Sequence, residues 1–455
     1  MTHLNPLVTV YITSHNYGKY IQQSVDSVLS QTFTDFELLI IDDGSTDNSR
    51  ELIEHYREIE NVKIIFQQNK GLNITNNIAL RAAKGKYIMR LEADDYLDNN
   101  ALLVMSNLLE QDEELGMVFP DYYLVDEQGE ILNLEKRHNF DREVKLLDQP
   151  AHGACTMIRR DYLLRLNGYN EDYTCQDGYE LWIKFTNSYK VKNVNTALFY
   201  YRRHGANLTG NEDKILTTRA RIKDDYLKDD EFDKSALAVL PIRGENSQNH
   251  TTAFEKINGE YLLDWKIKEL IKSERIQQVV VTSPSLKVKS HLEAHYDSNA
   301  VKFIHRNENL AQLNTGLVET LNEALEQLEG NQFDYLMVLG VEYPYINFKT
   351  VNDAINTLAI FEADSLISVR PETNLFFRHD GEGMKPILNM DKFTKLERDA
   401  LYRNIGGITL TKLGYFKKHQ TLLGGKVGHI VIGQKESLGI FSKYELKVAN
   451  AIVDL

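Results

Sequence analysis

Residues 36–47 read FELLIIDDGSTD, and this stretch decides the fold of the first half of the chain. Phe36 to Ile41 is a run of strand length that is apolar but for Glu37, the pattern of a buried strand. It stops at Asp42-Asp43-Gly44-Ser45-Thr46-Asp47, a turn whose acids and hydroxyls can cap the helix expected near Asn48. Upstream, Leu7 to Ile12 (LVTVYI) reads as another buried strand. Tyr20 to Leu29 has helical spacing, with Ile21, Val25, Val28 and Leu29 on one side. Downstream, strands are predicted at Val62 to Phe66 and Tyr87 to Leu91. Strands alternating with helices imply a mostly parallel α/β sheet, which presents its ligands at the carboxyl ends of its strands.

The chain has 455 residues, too many for one ordinary domain. Near residues 223–234 charge is dense (KDDYLKDDEFDK) and apolar periodicity weak, as in a linker or exposed helix. A second α/β pattern follows, with strands at Ala236 to Pro241, Gln278 to Thr282 and Asp334 to Leu339 and a helix over Leu262 to Ile271. The loop motifs of the halves do not match, so two different domains are expected: 1–222 and 235–455, joined by 223–234.

The net charge of −14 argues against non-specific nucleic-acid binding. Cys155 and Cys175 are the only cysteines, which gives no disulfide framework. No signal-peptide pattern and no apolar run of about 18 residues is present, so the expected location is cytoplasmic, with any membrane contact peripheral and at its inner face.

The acids fall in a pattern. Asp42 and Asp43 end one strand; Glu92, Asp94 and Asp95 end another, in RLEADDYL. Asp177 sits in CQDGYELW and His204 in YYRRHGAN. Taken singly, each acid could be a turn or cap residue. At successive strand ends they suit a hard divalent cation, Mn²⁺ or Mg²⁺, that keeps positions open for phosphate oxygens.

Residues from about 6 to 211 resemble the family-2 glycosyltransferases of the GT-A fold. Four ordered stretches carry the likeness: VTVYITSHNYGKYIQQSVDSVLSQTFTDFELLIIDDGSTDNS, GLNITNNIALRAAKGKYIMRLEADD, NGYNEDYTCQDGYELWIKF and YYRRHGANLT. The resemblance implies inverting transfer of a sugar, hexosyltransferase-type, from a UDP-linked donor to a glycan, lipid-linked or protein acceptor. It places Thr13 and Asp43 at the nucleobase, with Asn16 and Asp42 nearby. Asp94 would bind the metal, and Glu92 or Asp95 the ribose or a metal-bound water; Glu92 stands where the family usually has Asp. Asp177 matches the general base. His204 would be a further metal ligand or diphosphate contact, and Arg202 and Arg203 offer forked donors to phosphate. Asn76 replaces a residue that is basic in many relatives. Trp182 is read as core.

Residues 235–455 resemble, more faintly, the cytidylyltransferases that activate acidic sugars such as sialic acid, in ALAVLPIRGENSQ, INGEYLLDWKIKEL, ADSLISVRP, YRNIGGITLTK and LLGGKVGHIVI. The family's phosphate loop reads Arg243-Gly244-Glu245-Asn246-Ser247 here. Glu255 and Glu260 replace lysines, and Gly439 and Phe441 replace the metal-binding aspartates. The expectation is a non-catalytic module that forms a homo-oligomer, a dimer above all, or binds an acidic sugar, an acceptor or a pathway enzyme. The alternatives are a bifunctional glycosyltransferase and CMP-sugar synthetase, and a non-catalytic scaffold.

Overall fold

A computed structural model describes residues 5–136, 153–204, 212–228, 234–244, 252–312, 315–328, 332–372, 376–379, 381, 383–387 and 401–454. Contacts divide the chain into two units, Met1–Asn211 and Glu212–Leu455.

The first unit runs β1 (Val8–Ser14), α1 (Ile21–Leu29), β2 (Phe36–Asp43), α2 (Ser49–Glu54), β3 (Val62–Gln67), α3 (Leu72–Ala82), β4 (Tyr87–Glu92), β5 (Tyr96–Leu97), α4 (Ala101–Gln111), β6 (Leu115–Val125), β7 (Ile131–Glu135), β8 (Met157–Arg159), α5 (Arg160–Arg165), α6 (Asp177–Ser188) and β9 (Lys190–Arg202). Its sheet has the order β3-β2-β1-β4-β8-β6-β9-β5, with β7 on β6. The first four strands are parallel, as the sequence predicts. The other half is mixed, because β8 runs antiparallel to both β4 and β6.

Strand alternation assigns the faces. Val8, Val10 and Ile12 pack with Ile21, Val25 and Val28 of α1. Tyr11, Leu39 and Ile41 face the other way, with Leu80 of α3 and Leu181, Trp182 and Phe185 of α6. In β4, Tyr87, Met89 and Leu91 join the first core and Ile88 the second. The same alternation sends Arg90 and Glu92 towards α6. Trp182 is core, 1% exposed and edge-on to Phe119. Both cysteines are free thiols.

The second unit begins with α7 (Glu212–Lys228) and continues β10 (Ala236–Pro241), β11 (Lys256–Ile257), β12 (Glu260–Tyr261), α8 (Leu262–Ile271), β13 (Ile276–Ser283), α9 (Leu286–His295), β14 (Val301–His305), α10 (Leu317–Glu326), β15 (Tyr335–Leu339), α11 (Phe348–Ile360), β16 (Ser365–Glu372), β17 (Phe377–His379), β18 (Met384–Pro386), β19 (Leu401–Lys412), α12 (Leu413–His419), β20 (Val427–Val431) and α13 (Lys443–Ala451). It is a second α/β domain, with sheet order β14-β13-β10-β15-β19-β16-β20. The segment read as a linker or exposed helix is helical up to Lys228. Helix α7 packs within this unit, where buried Lys223 pairs with Asp353 of α11. The contact boundary therefore lies upstream of the one expected at 222, and residues 229–233 lie outside the described residues.

Lys266 of α8 is fully buried, and its Nζ donates to the carbonyls of Tyr343 (2.6 Å) and Ile346 (2.9 Å). Burial lowers its pKa from 10.5 to about 7, against the opposing pull of Glu269, Glu436 and Glu342. Between those values the unfolded chain holds a proton that the folded chain does not. Stability of this unit should therefore rise from about pH 7 towards pH 10, by on the order of 3 kcal/mol. Denaturant unfolding at several pH values should show that rise in the wild type and its loss in Lys266→Met. An equal slope in both would contradict it.

Candidate active site

The turn after β2 is built by its own acids. Gly44 has φ +80°, and a Cβ there would lie 2.5 Å from the Asn69 backbone nitrogen, so only glycine fits. Asp42 is fully buried; its Oδ1 accepts from Ser45 N (3.1 Å) and Arg50 Nε (2.7 Å). Asp47, rather than Asn48, caps α2 by accepting from Ser49 N at 3.0 Å. Asn16 Oδ1 accepts from Thr46 N at 2.7 Å, which ties the loop after β1 to this turn. Asp43 accepts from Gln67 Nε2 (2.8 Å), Lys70 N (2.8 Å) and Gly71 N (2.9 Å). A carboxylate has about four acceptor positions, so Asp43 keeps capacity for one more donor. Thr13 lies one residue before the end of β1, 8% exposed, in register with Ile41 and Glu92.

The second acidic group lies in the turn from β4 to β5. Asp94 is 3% exposed; its Oδ2 meets His204 Nε2 at 2.9 Å, and its Oδ1 has no partner. His204 stacks on Tyr20, with ring centroids 5.5 Å apart, and meets the Tyr17 ring edge-on. Asp95 Oδ1 accepts from Arg202 N at 2.8 Å, and its buried Oδ2 is unpaired. Burial pushes the Asp95 carboxyl well above the usual carboxylate range, with Asp94 and Glu92 adding to it. Glu92 is pushed up to about 7 by burial and by Asp94 and Asp177, with Arg90 opposing. Burial raises the Tyr17 hydroxyl as well, and Asp94, Glu92 and Asp95 reinforce the shift. The turn thus gathers acids whose charged forms burial disfavours.

Among the described residues, no three His, Cys, Asp or Glu side chains are gathered as a metal cage. What is present is narrower: the unpaired Asp94 Oδ1 and Asp95 Oδ2, with His204 beside them. Hard oxygens and an imidazole fit a divalent cation that takes its remaining ligands from a substrate diphosphate and water.

Asp177 begins α6, 7% exposed, after Gln176 in the left-handed region. Its Oδ2 pairs with Arg90, which also holds Glu92 Oε1 at 3.2 Å. Sequence reasoning missed Arg90, although an arginine inside the apolar run YIMRL, two residues before an acid, was a visible signal.

Arg202 takes a different role from the phosphate donor expected. Its guanidinium is 2% exposed and donates to the carbonyls of Asp94 (2.9 Å), Asp126 (3.1 Å) and Glu127 (3.0 Å) and to Gln23 Oε1 (2.6 Å). It therefore fastens the β4–β5 turn. Arg203 is exposed. Asn76 is buried, and its Oδ1 accepts from the Tyr11 hydroxyl at 3.2 Å.

Residues 9–166 match the family model described as glycosyl transferase family 2. The O-antigen biosynthesis glycosyltransferase WbnJ of Escherichia coli is 30% identical over 211 residues, covering 44% of this chain and 80% of WbnJ. The chain belongs to glycosyltransferase family 2. The first unit, an α/β domain, holds the matched residues 9–166. The chondroitin synthase of E. coli is 32% identical over 206 residues, covering 44% of this chain and 30% of the synthase. The hyaluronan synthase of Pasteurella multocida is 33% identical over 210 residues, covering 45% and 22%. This glycosyltransferase thus spans less than a third of the length of either synthase.

Arg202→Met should lower the stability of the first unit by about 2 kcal/mol, since it strands the buried Asp94 carbonyl and removes the bonds to Asp126, Glu127 and Gln23. Chemical denaturation measures this. Unchanged stability together with weaker donor binding would restore the phosphate-contact role.

Proposed function

We propose that the first unit transfers a sugar with inversion from a nucleotide diphosphate sugar, UDP-linked, to a hydroxyl of a growing surface glycan or glycoconjugate, and that it needs Mn²⁺ or Mg²⁺. The observation that carries this reading is the unpaired Asp94 Oδ1, buried beside Asp95 and His204 in the β4–β5 turn. The remaining acceptor capacity of Asp43, near Thr13, suits the ring N–H of uracil. The relatives named for chondroitin, hyaluronan and O-antigen support a glycan product.

In this reading Asp177 takes the proton of the acceptor hydroxyl as its oxygen bonds to the anomeric carbon. The bond from that carbon to the diphosphate oxygen breaks, and its electron pair leaves with the nucleotide diphosphate. Attack from the face opposite the leaving group inverts the anomeric centre. A bound cation would offset charge on the leaving diphosphate, held by Asp94 and His204. Asp42, Asp43 and Asn16 shape the nucleoside end of the site through the loops that they tie down.

We read the second unit as a non-catalytic relative of the cytidylyltransferases that serves assembly, most simply as a homodimer. Gly439 has no side chain to bind a cation, and Phe441 offers only an exposed ring packed edge-on to Tyr343. Glu260 pairs with Lys268. Of the phosphate-loop positions, Glu245, Asn246 and Ser247 lie outside the described residues. Cytoplasmic placement belongs to the same reading; among the described residues no helix is long and apolar enough to cross a membrane.

Two variants test the first unit together. Asp94→Ala should fold normally and lose Mn²⁺-dependent UDP binding by calorimetry. Asp177→Asn should keep that binding and lose about 10²–10⁴-fold in turnover. Intact metal-dependent binding in the first, or near-wild-type transfer in the second, would sink the corresponding assignment. For the second unit, the full chain incubated with labelled CTP and sialic acid should form no CMP-sugar; label in that product would establish the bifunctional alternative.

A further inference from the structure

Arg90 is an unusual residue for its place. It lies in β4, a strand of otherwise apolar residues up to Glu92, and is 4% exposed. A guanidinium this deep costs several kcal/mol of desolvation unless it is paired well. One of its nitrogens pairs with Asp177 Oδ2, and another lies 3.2 Å from Glu92 Oε1. Glu92 follows Arg90 by two residues, so both side chains leave the same face of the strand. Glutamate is one methylene longer than aspartate, which helps its carboxylate reach back to that guanidinium.

The surroundings leave the arginine little freedom. A Cβ on Gly153 would strike its Nη2 and would lie 3.4 Å from Asp177 Oδ2. Tyr11, opposite Arg90 in the β1–β4 register, is buried and shares a hydroxyl contact with Tyr169 at 3.3 Å. A planar fork can hold two carboxylates in fixed directions at once, which a lysine ammonium cannot.

We propose that Arg90 is a positioning residue that fixes the Asp177 carboxylate for proton abstraction while its second nitrogen holds Glu92, so that one guanidinium sets the spacing between the acceptor side and the donor side of the site. Glu92 then serves as a partner of Arg90, not as a nucleotide contact. The role of Arg90 rests on the reading of Asp177 as the base. Binding Asp177 through Oδ2 leaves Oδ1 as the oxygen that meets the acceptor. A carboxylate released from this fork would sample other directions, and misplacement of about 1 Å can cost ~10²-fold in rate.

The test uses the full chain with Mn²⁺. Turnover is read as UDP release from whichever of UDP-glucose, UDP-galactose and UDP-N-acetylglucosamine the wild type hydrolyses fastest, and binding is read by calorimetry with UDP. Arg90→Met should lower turnover about 10–100-fold and leave UDP affinity unchanged. Arg90→Lys should recover part of the rate. Pairing Arg90→Met with Glu92→Gln removes the repulsion between the two carboxylates and keeps the comparison open if the single variant folds poorly. Adding Arg90→Met to Asp177→Asn should cost nothing further, because the arginine acts through the aspartate. Additive losses, or UDP affinity falling in step with turnover, would overturn the proposal. Full turnover by Asp177→Asn would remove the base itself; an inactive Asp177→Asn beside a fully active Arg90→Met would remove only the arginine's role. A crystal structure of Arg90→Met should show the Asp177 carboxylate displaced with Asp94 and His204 in place. An unmoved Asp177 overturns the proposal whatever the kinetics.

Discussion

Four carboxylates, those of Glu92, Asp94, Asp95 and Asp177, meet beyond the end of β4, and Arg90 is the guanidinium that pairs with two of them. Like charges at such depth are costly, and the protein meets that cost with specific partners. Arg90 holds Glu92 and Asp177. The backbone N–H of Arg202 holds Asp95, and His204 stands against Asp94. Among the described residues, the buried oxygens Asp94 Oδ1 and Asp95 Oδ2 have no hydrogen-bond partner. A fold that needed these acids only as turn residues would not leave them buried and unpaired.

The sheet explains why they meet. Parallel strands β1, β2 and β4 all end on the same edge, so their following loops converge there. Strand β9 then brings Arg202 and His204 back to that edge. Arg202 donates to three carbonyls and to Gln23, and so holds the β4–β5 turn closed from beneath. Remote pairing along the sheet thereby sets the spacing of the acidic turn.

Local signals were legible in the sequence. The runs at Phe36 to Ile41 and Ala236 to Pro241 became strands because short, mostly apolar runs buried on both faces have few alternatives. Asp42, Asp43, Glu92, Asp94 and Asp95 were legible for the same reason, since they end or follow such runs, whereas Asp177, at the start of α6, was legible through the family resemblance. The mixed half of the first sheet was not. Strand β6 carries Pro120 within LGMVFPDYYLV, and its register with β9 shifts between Phe119 and Asp121, so regular alternation is lost. Arg202 beside Arg203 looked like a pair of phosphate donors. Only the fold shows that Arg202, the last residue of β9, is buried and that Arg203, just beyond the strand, is exposed. Arg90 was overlooked because its partners, one of them at position 177, are joined only by the packing of α6 on the sheet. The start of the second unit was displaced because α7 is highly charged, and its few buried residues, Ile222, Lys223 and Leu227, include a lysine.

The central claim is that the unpaired acids of the β4–β5 turn hold a cation for a nucleotide diphosphate. The most direct measurement is anomalous diffraction at the manganese edge from crystals of the full chain soaked with UDP and Mn²⁺. One Mn²⁺ peak should lie within coordination distance of Asp94 Oδ1, with diphosphate oxygens completing its shell and the uracil beside Asp43 and Thr13. UDP bound at this edge with no peak near Asp94, or a peak held by other residues, would contradict it.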